Sequence, residues 1–126
     1  MLELLQNISS LDSAAELLEE VIVVNNASTE DYTPVKNYIN STPALPFYYF
    51  DAPENLGVAK GRNFALAKGK APIIIMLDDD AVLQNKNSLE NLVNEFNESN
   101  TKKPKAIISF KVLYYDNLQM QKCFAT

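Results

Sequence analysis

The sequence predicts an α/β layered fold with a largely parallel sheet, and three observations carry that reading. Segments with helical spacing alternate with short strand-like runs along the whole chain, beginning with a helix. The strand-like runs are continuous and apolar, as expected of strands covered by helices on both faces. Two unusual polar clusters, Asn25 to Thr29 and Asp78 to Asp80, follow directly on such runs. In a parallel sheet both would lie at the strand C-terminal ends, where ligands bind.

Apolar residues at Leu4, Ile8, Leu11, Ala15 and Leu18 step by four and three, which predicts an amphipathic opening helix. Ser13 followed by Glu16 has the form of a capping box, so a break near Leu11 and a short second helix is the alternative to one rod. Val21 to Val24 is a buried strand running into the polar loop. Thr33 or Asp31 caps a third helical segment with Pro34 in its first turn, stopped by Ser41-Thr42-Pro43. Phe47 to Phe50 is a second strand, and the turn Asp51-Ala52-Pro53-Glu54-Asn55 leads to Gly57. The helix that follows ends near Gly69. Pro72 to Leu77 is the most apolar run and reads as a third strand, buried on both faces. Ser88 to Glu98 is a helix through Leu89, Leu92, Val93 and Phe96, and Ala106 to Leu113 is a fourth strand.

At 126 residues the chain is one domain, and 47% hydrophobic against 21% charged residues is enough to bury a core. A net charge of −5 argues against a nucleic-acid partner and means that a phosphate-bearing ligand needs a local basic group or a bridging cation. With no His, a His-containing triad and His-ligated metal sites are excluded. A single Cys, Cys123, forms no internal disulfide, which suits a reducing cytosol. No apolar run approaches the roughly 20 residues of a membrane span, and no leader pattern opens the chain.

Asp78-Asp79-Asp80 places three like charges after an apolar strand. On extended backbone Asp78 and Asp80 point to one side and converge on one hard cation, with Asp79 pointing away. An oxygen-only donor set favours Mg²⁺ or Mn²⁺, either of which neutralises a diphosphate and stabilises it as a leaving group. A solvated acidic turn is the alternative.

Three blocks resemble the nucleotide-sugar glycosyltransferases of family 2, which have the GT-A fold. Glu20 to Asp31, EVIVVNNASTED, is similar to the family's strand and nucleoside-contacting loop. Glu54 to Asp80, ENLGVAKGRNFALAKGKAPIIIMLDDD, is similar to its Asn-x-Gly, Ala-x-x-Arg-Asn and DXD elements, in order and at the right spacing. Ile8 to Leu11, ISSL, fits the first helix. The resemblance runs from Leu4 to about Leu113. It implies a GT-A, Rossmann-like layered fold with a mostly parallel sheet flanked by helices, spanning residues 1–126 as a partial nucleotide-sugar-binding domain.

Carried over by position, the resemblance gives Asn25 and Asn26 as the pair that contacts the base, with Ser28 beside them. A hydrophilic turn is the alternative. Arg62 and Asn63 match the Arg-Asn element, with Arg62 facing the nucleotide phosphates or pairing structurally with Asp78, and Lys60 either joins the substrate or lies on a solvated helix face. Asp80 is the expected direct metal ligand. Asp78 sits near the ribose or the metal, and Asp79 with the substrate. Gly57 permits a tight turn after Asn55. Tyr48, Tyr49, Tyr114 and Tyr115 form either a sugar-stacking platform or, as alternating strand aromatics, core and surface.

Members of the family begin with a strand and continue into an acceptor-binding half that supplies the catalytic base. The expectation is therefore a chain lacking that first strand and the acceptor half, with no residue assigned as catalytic and with activity absent from the chain alone. The implied reaction is metal-dependent transfer from a nucleotide diphosphate sugar to a saccharide, lipid or protein acceptor, as in polysaccharide biosynthesis. A homodimer through an exposed sheet edge and a cytoplasmic place, at the inner face of a membrane in the full-length protein, complete the expectation. The alternatives are a non-catalytic nucleotide-binding fragment and a haloacid-dehalogenase-like phosphatase using DDDAVL, Asp78 to Leu83. The second fits less well, because that motif closes the first strand of its sheet and here follows the third.

Overall fold

The computed structural model describes residues 1–98 together with Ile107, Ile108, Phe110, Lys111 and Leu113. The chain divides into two compact units, Met1–Val93 and Asn94–Thr126. The expected strand Ala106 to Leu113 lies largely outside the described residues, as do Tyr114, Tyr115 and Cys123 entirely.

Helix α1 (Leu2–Ser9) buries Leu4, Leu5 and Ile8, the stripe its spacing predicts. The break near Leu11 is real: Ser13 takes a left-handed φ of 57°, and the chain restarts as α2 (Ala14–Leu17). The Ser13 and Glu16 capping box does not form. In the left-handed conformation the Ser13 hydroxyl serves no helix N–H and donates instead to Glu90 Oε1 at 2.6 Å.

Strands β1 (Val21–Asn25) and β2 (Phe47–Asp51) pair in parallel, in register from Val21 with Phe47 to Asn25 with Asp51. Their crossover carries α3 (Thr33–Ser41), with Pro34 in its first turn, where a missing N–H costs no helix bond. The N-cap position is Tyr32, with no side-chain cap, so neither Thr33 nor Asp31 caps the helix as expected; Asp31, one residue earlier, accepts the Thr33 N–H on Oδ1 at 2.9 Å in the turn that leads into it. Val23 and Val35 close one core cluster with the α1 stripe, and Tyr38 and Phe47 pack edge to face against it. A second cluster joins Leu11, Ala14 and Leu45 to Leu89 of α5 (Ser88–Asn97).

Helix α4 (Gly57–Leu66) begins at Gly57, whose φ of +71° is the left-handed turn expected after Asn55. It stops short of Gly69, and a turn continues to that residue.

The third strand expected at Pro72 to Leu77 is not formed. The segment alternates, with Ile75 and Leu77 packed on the two core clusters and Ile74 and Met76 57% and 43% exposed. It is covered on one face only, and among the described residues the sheet has the two strands β1 and β2. Between β1 and this segment lies a cavity of about 690 Å³, lined on both sides by apolar side chains. Glu20, just before β1, accepts the backbone N–H groups of Lys70 and Ala71, and Glu20, Tyr32 and Asp79 are among the polar residues of the lining. Those two N–H donors hold the Glu20 carboxyl below its usual range. The segment after the acidic turn is held by Asn7 of α1, whose amide donates to Leu83 C=O at 3.0 Å and accepts Leu83 N–H at 2.7 Å.

Candidate functional site

The polar mouth of the cavity forms where β1 ends, α4 begins and the acidic turn follows the 71–77 segment. Asn26, Ser28, Arg62, Asp78 and Asp79 all line it, together with Tyr32 and Asn55. Asn25, Lys60, Asn63 and Asp80 lie outside that lining. The expected site residues thus divide into a group that lines the cavity and a group that does not.

Pleating separates the two asparagines, since successive residues of extended chain point to opposite sides. Asn25 donates from Nδ2 to Asp51 Oδ1 at 3.0 Å and accepts the Ser28 N–H on Oδ1 at 2.9 Å. Asn26 turns to α4: its Oδ1 accepts the Leu56 N–H at 3.0 Å, and its Nδ2 faces Gly57 C=O at 3.4 Å and Asn55 Oδ1 at 3.5 Å. A Cβ on Gly61 would meet Asn26 Nδ2 at 3.3 Å, so glycine lets this helix lie close against the loop. Asn55 also accepts the Gly57 N–H at 2.9 Å, which builds the turn that aims α4 at the mouth.

Arg62 donates to Asp78 Oδ1 at 2.6 Å, with both side chains about half exposed, at 45% and 66%. In that setting the pair holds little stability, and the guanidinium keeps further donors for an anion. Asp78, Asp79 and Asp80 are exposed, and Ala81 N–H returns to Asp78 C=O at 3.0 Å. The acids therefore sit on a turn, and the extended-chain alternation expected of them does not hold. Among the described residues no three His, Cys, Asp or Glu side chains are grouped as a metal site. The donor set is nevertheless all carboxylate oxygen, of the kind that holds Mg²⁺ when substrate phosphates complete the shell.

Sequence reasoning passed over two features of this edge. Tyr32 reaches the mouth, where burial first, and then the charges of Asp79 and Glu30, raise its hydroxyl pKa. Asp51, read only as part of a turn, gathers Asn25, the Tyr49 hydroxyl at 2.8 Å and Lys36 Nζ at 3.6 Å. The Tyr49 hydrogen bond, ahead of the other contacts, holds the Asp51 carboxyl below its usual range. Partial burial and the same bond push the Tyr49 hydroxyl up to about 12. Tyr49 packs on Tyr32 and on the core, while Tyr48 is 50% exposed, which is the alternation of strand aromatics and not a shared platform.

The family model for glycosyl transferase family 2 matches residues 2–111, most of the chain. The chain belongs to glycosyl transferase family 2. An uncharacterized protein of Haemophilus influenzae is 33% identical over 85 residues, which are 68% of this chain and 46% of that protein. The chain thus spans less than half the length of that relative. No solved structure matches it. For a family 2 member the α/β architecture, with a parallel sheet flanked by helices, is consistent with the GT-A fold. No helix among the described residues is long and apolar enough to cross a membrane.

Proposed function

We propose that residues 1–126 form the donor-binding part of a glycosyltransferase that moves a sugar from a nucleotide diphosphate sugar to a saccharide, lipid or protein acceptor. The observation that carries this reading is the cavity mouth, where Arg62 and the carboxylates of Asp78 and Asp79 meet the loop bearing Asn26 and Ser28. Family membership supports it independently. A diphosphate there needs positive charge. Arg62 supplies one fixed cation, and Mg²⁺ or Mn²⁺ held by Asp80 and Asp78 supplies the rest. When bound, the cation offsets the charge that develops on the departing diphosphate. Asn26 contacts the base with the donor and acceptor capacity that its internal bonds leave, Asn25, expected beside it, holds the loop from outside the mouth, and Lys60 and Asn63 border the phosphates from α4.

Among the described residues no strand pairs with the second edge of β1, which supports a second proposal, a homodimer formed through that edge. The donor reading is tested by thermal melts in Mn²⁺ with uridine, guanosine or thymidine diphosphate. A ligand confined to the native state at a hundredfold excess over Kd adds about 2.7 kcal/mol. Asp80→Ala is expected to remove the metal-dependent part of that shift, and an equal shift in both proteins removes the metal role.

A further inference from the structure

The loop that brings Asn26 and Ser28 to the cavity mouth is held from outside the mouth. Asn25 and Asp51 are the last residues of β1 and β2 and stand opposite each other in the parallel register. A primary amide is a donor at one end and an acceptor at the other, so its two neighbours fix which way round it sits. On one side of Asn25 is the Asp51 carboxylate, which can only accept, and on the other is the Ser28 N–H, which can only donate. One orientation satisfies both. Ser28 Oγ then accepts the Glu30 N–H at 3.1 Å, so a chain of bonds runs from Asp51 through Asn25 into the loop. Between them Ala27 holds φ at 53°, a left-handed backbone that a residue with a Cβ keeps only where its surroundings impose it.

We propose that Asp51 is a positioning residue which, through the amide of Asn25, sets the loop that delivers Asn26 and Ser28 to the cavity mouth. Its closest contacts point to this role. Asp51 Oδ1 accepts from two neutral donors, Asn25 Nδ2 at 3.0 Å and the Tyr49 hydroxyl at 2.8 Å. The Lys36 ammonium stands further off, at 3.6 Å from Oδ2 with 49% of its side chain exposed, where an ion pair holds little. Without the carboxylate the Nδ2 end of Asn25 loses its acceptor, and the Ser28 N–H on Oδ1 is left to hold an amide that is otherwise freer to turn and shift, so the loop is held less firmly.

The consequence for ligand binding rests on the donor-site reading, so the test has one arm that needs a ligand and one that does not. In the first, uridine diphosphate with Mn²⁺ is titrated into wild type, Asp51→Ala and Asp51→Asn. The alanine variant is expected to bind about tenfold more weakly, from loss of one charge-assisted bond and its dependent loop. The asparagine variant, which keeps an acceptor oxygen for Asn25 and Tyr49, is expected to stay within about twofold. In the second arm, amide hydrogen exchange of Ser28 is followed without ligand. Exchange faster in Asp51→Ala and restored in Asp51→Asn supports the positioning role. Ser28 exchange unchanged in Asp51→Ala overturns it, as does a diphosphate affinity equal to wild type. If wild type binds no diphosphate, the donor-site reading falls, and Ser28 exchange still decides whether Asp51 sets the loop.

Discussion

Asn7→Ala isolates the contact that ties α1 to the segment following the acidic turn. The Asn7 amide makes a reciprocal pair with the Leu83 backbone, at 3.0 Å and 2.7 Å, across a sequence separation of 76 residues. Each such bond is worth about 0.5–1.5 kcal/mol net, so removing both costs about 1–3 kcal/mol. Alanine is the better helix former, by up to about 0.7 kcal/mol, and Asn7 lies within α1. The balance is a loss of about 0.3–3 kcal/mol, or a fall in Tm of several degrees near the middle of that range for a domain of this size. Urea unfolding followed by far-ultraviolet circular dichroism reads it, with Asn37→Ala on the exposed side of α3 as the propensity control. The control is expected to hold or gain stability. Backbone exchange at Leu83 rises in Asn7→Ala if the anchor is lost. A variant as stable as the control, with Leu83 still protected, refutes the anchor.

Arg62→Ala is expected to weaken a nucleoside diphosphate more than the nucleoside, with stability changed by less than about 1 kcal/mol because the Asp78 pair is half exposed. Calorimetric titration of both ligands decides it, and equal losses return Arg62 to a structural role. The raised Tyr49 hydroxyl makes stability pH-dependent at the alkaline end. Its folded value of about 12 exceeds the ordinary tyrosine value of about 10, so the contribution is complete below pH 10 and is lost as pH rises from 10 through 12. Tyr49→Phe is expected to flatten that fall in urea midpoints, and a profile identical to wild type excludes Tyr49 as its source. Light scattering tests the homodimer: a monodisperse monomer at high concentration refutes pairing through the β1 edge.

Local pattern was enough for α1, α3, α5, β1 and β2, because each carries its period or its turn residues within a single window, although no expected side-chain cap forms. It failed at Pro72 to Leu77 for a physical reason. An uninterrupted apolar run reads the same whether one face is covered or two, and no window reports whether a neighbouring strand stands beside it. The contacts that shape the site were equally hidden. Glu20 reaches Lys70 and Ala71 across 50 and 51 residues, and Asn25 reaches Asp51 across 26. These pairings belong to the topology and exist only once the sheet register is set.

The asparagine pair shows the one place where the sequence held more than the window gave. Asn25 and Asn26 are adjacent and chemically identical, which invites a shared role at the base. Asn25, however, closes a strand, and the pleat that buries Val23 sends the Asn25 side chain to the same side, toward Tyr49 and Asp51, and the next one toward α4. One amide therefore fixes the loop against the sheet and the other fixes the helix against the loop. Together they hold Ser28 and Arg62, which come from different elements, at one cavity mouth. A variant that swaps the bonding capacity of either amide disturbs both groups by different routes: Asn25→Asp sets two carboxylates against each other at Asp51, and Asn26→Asp sets one against Gly57 C=O. The first displaces the loop and the second displaces α4, so the adjacent substitutions are separable by which backbone amides lose protection, Ser28 in one and Leu56 in the other.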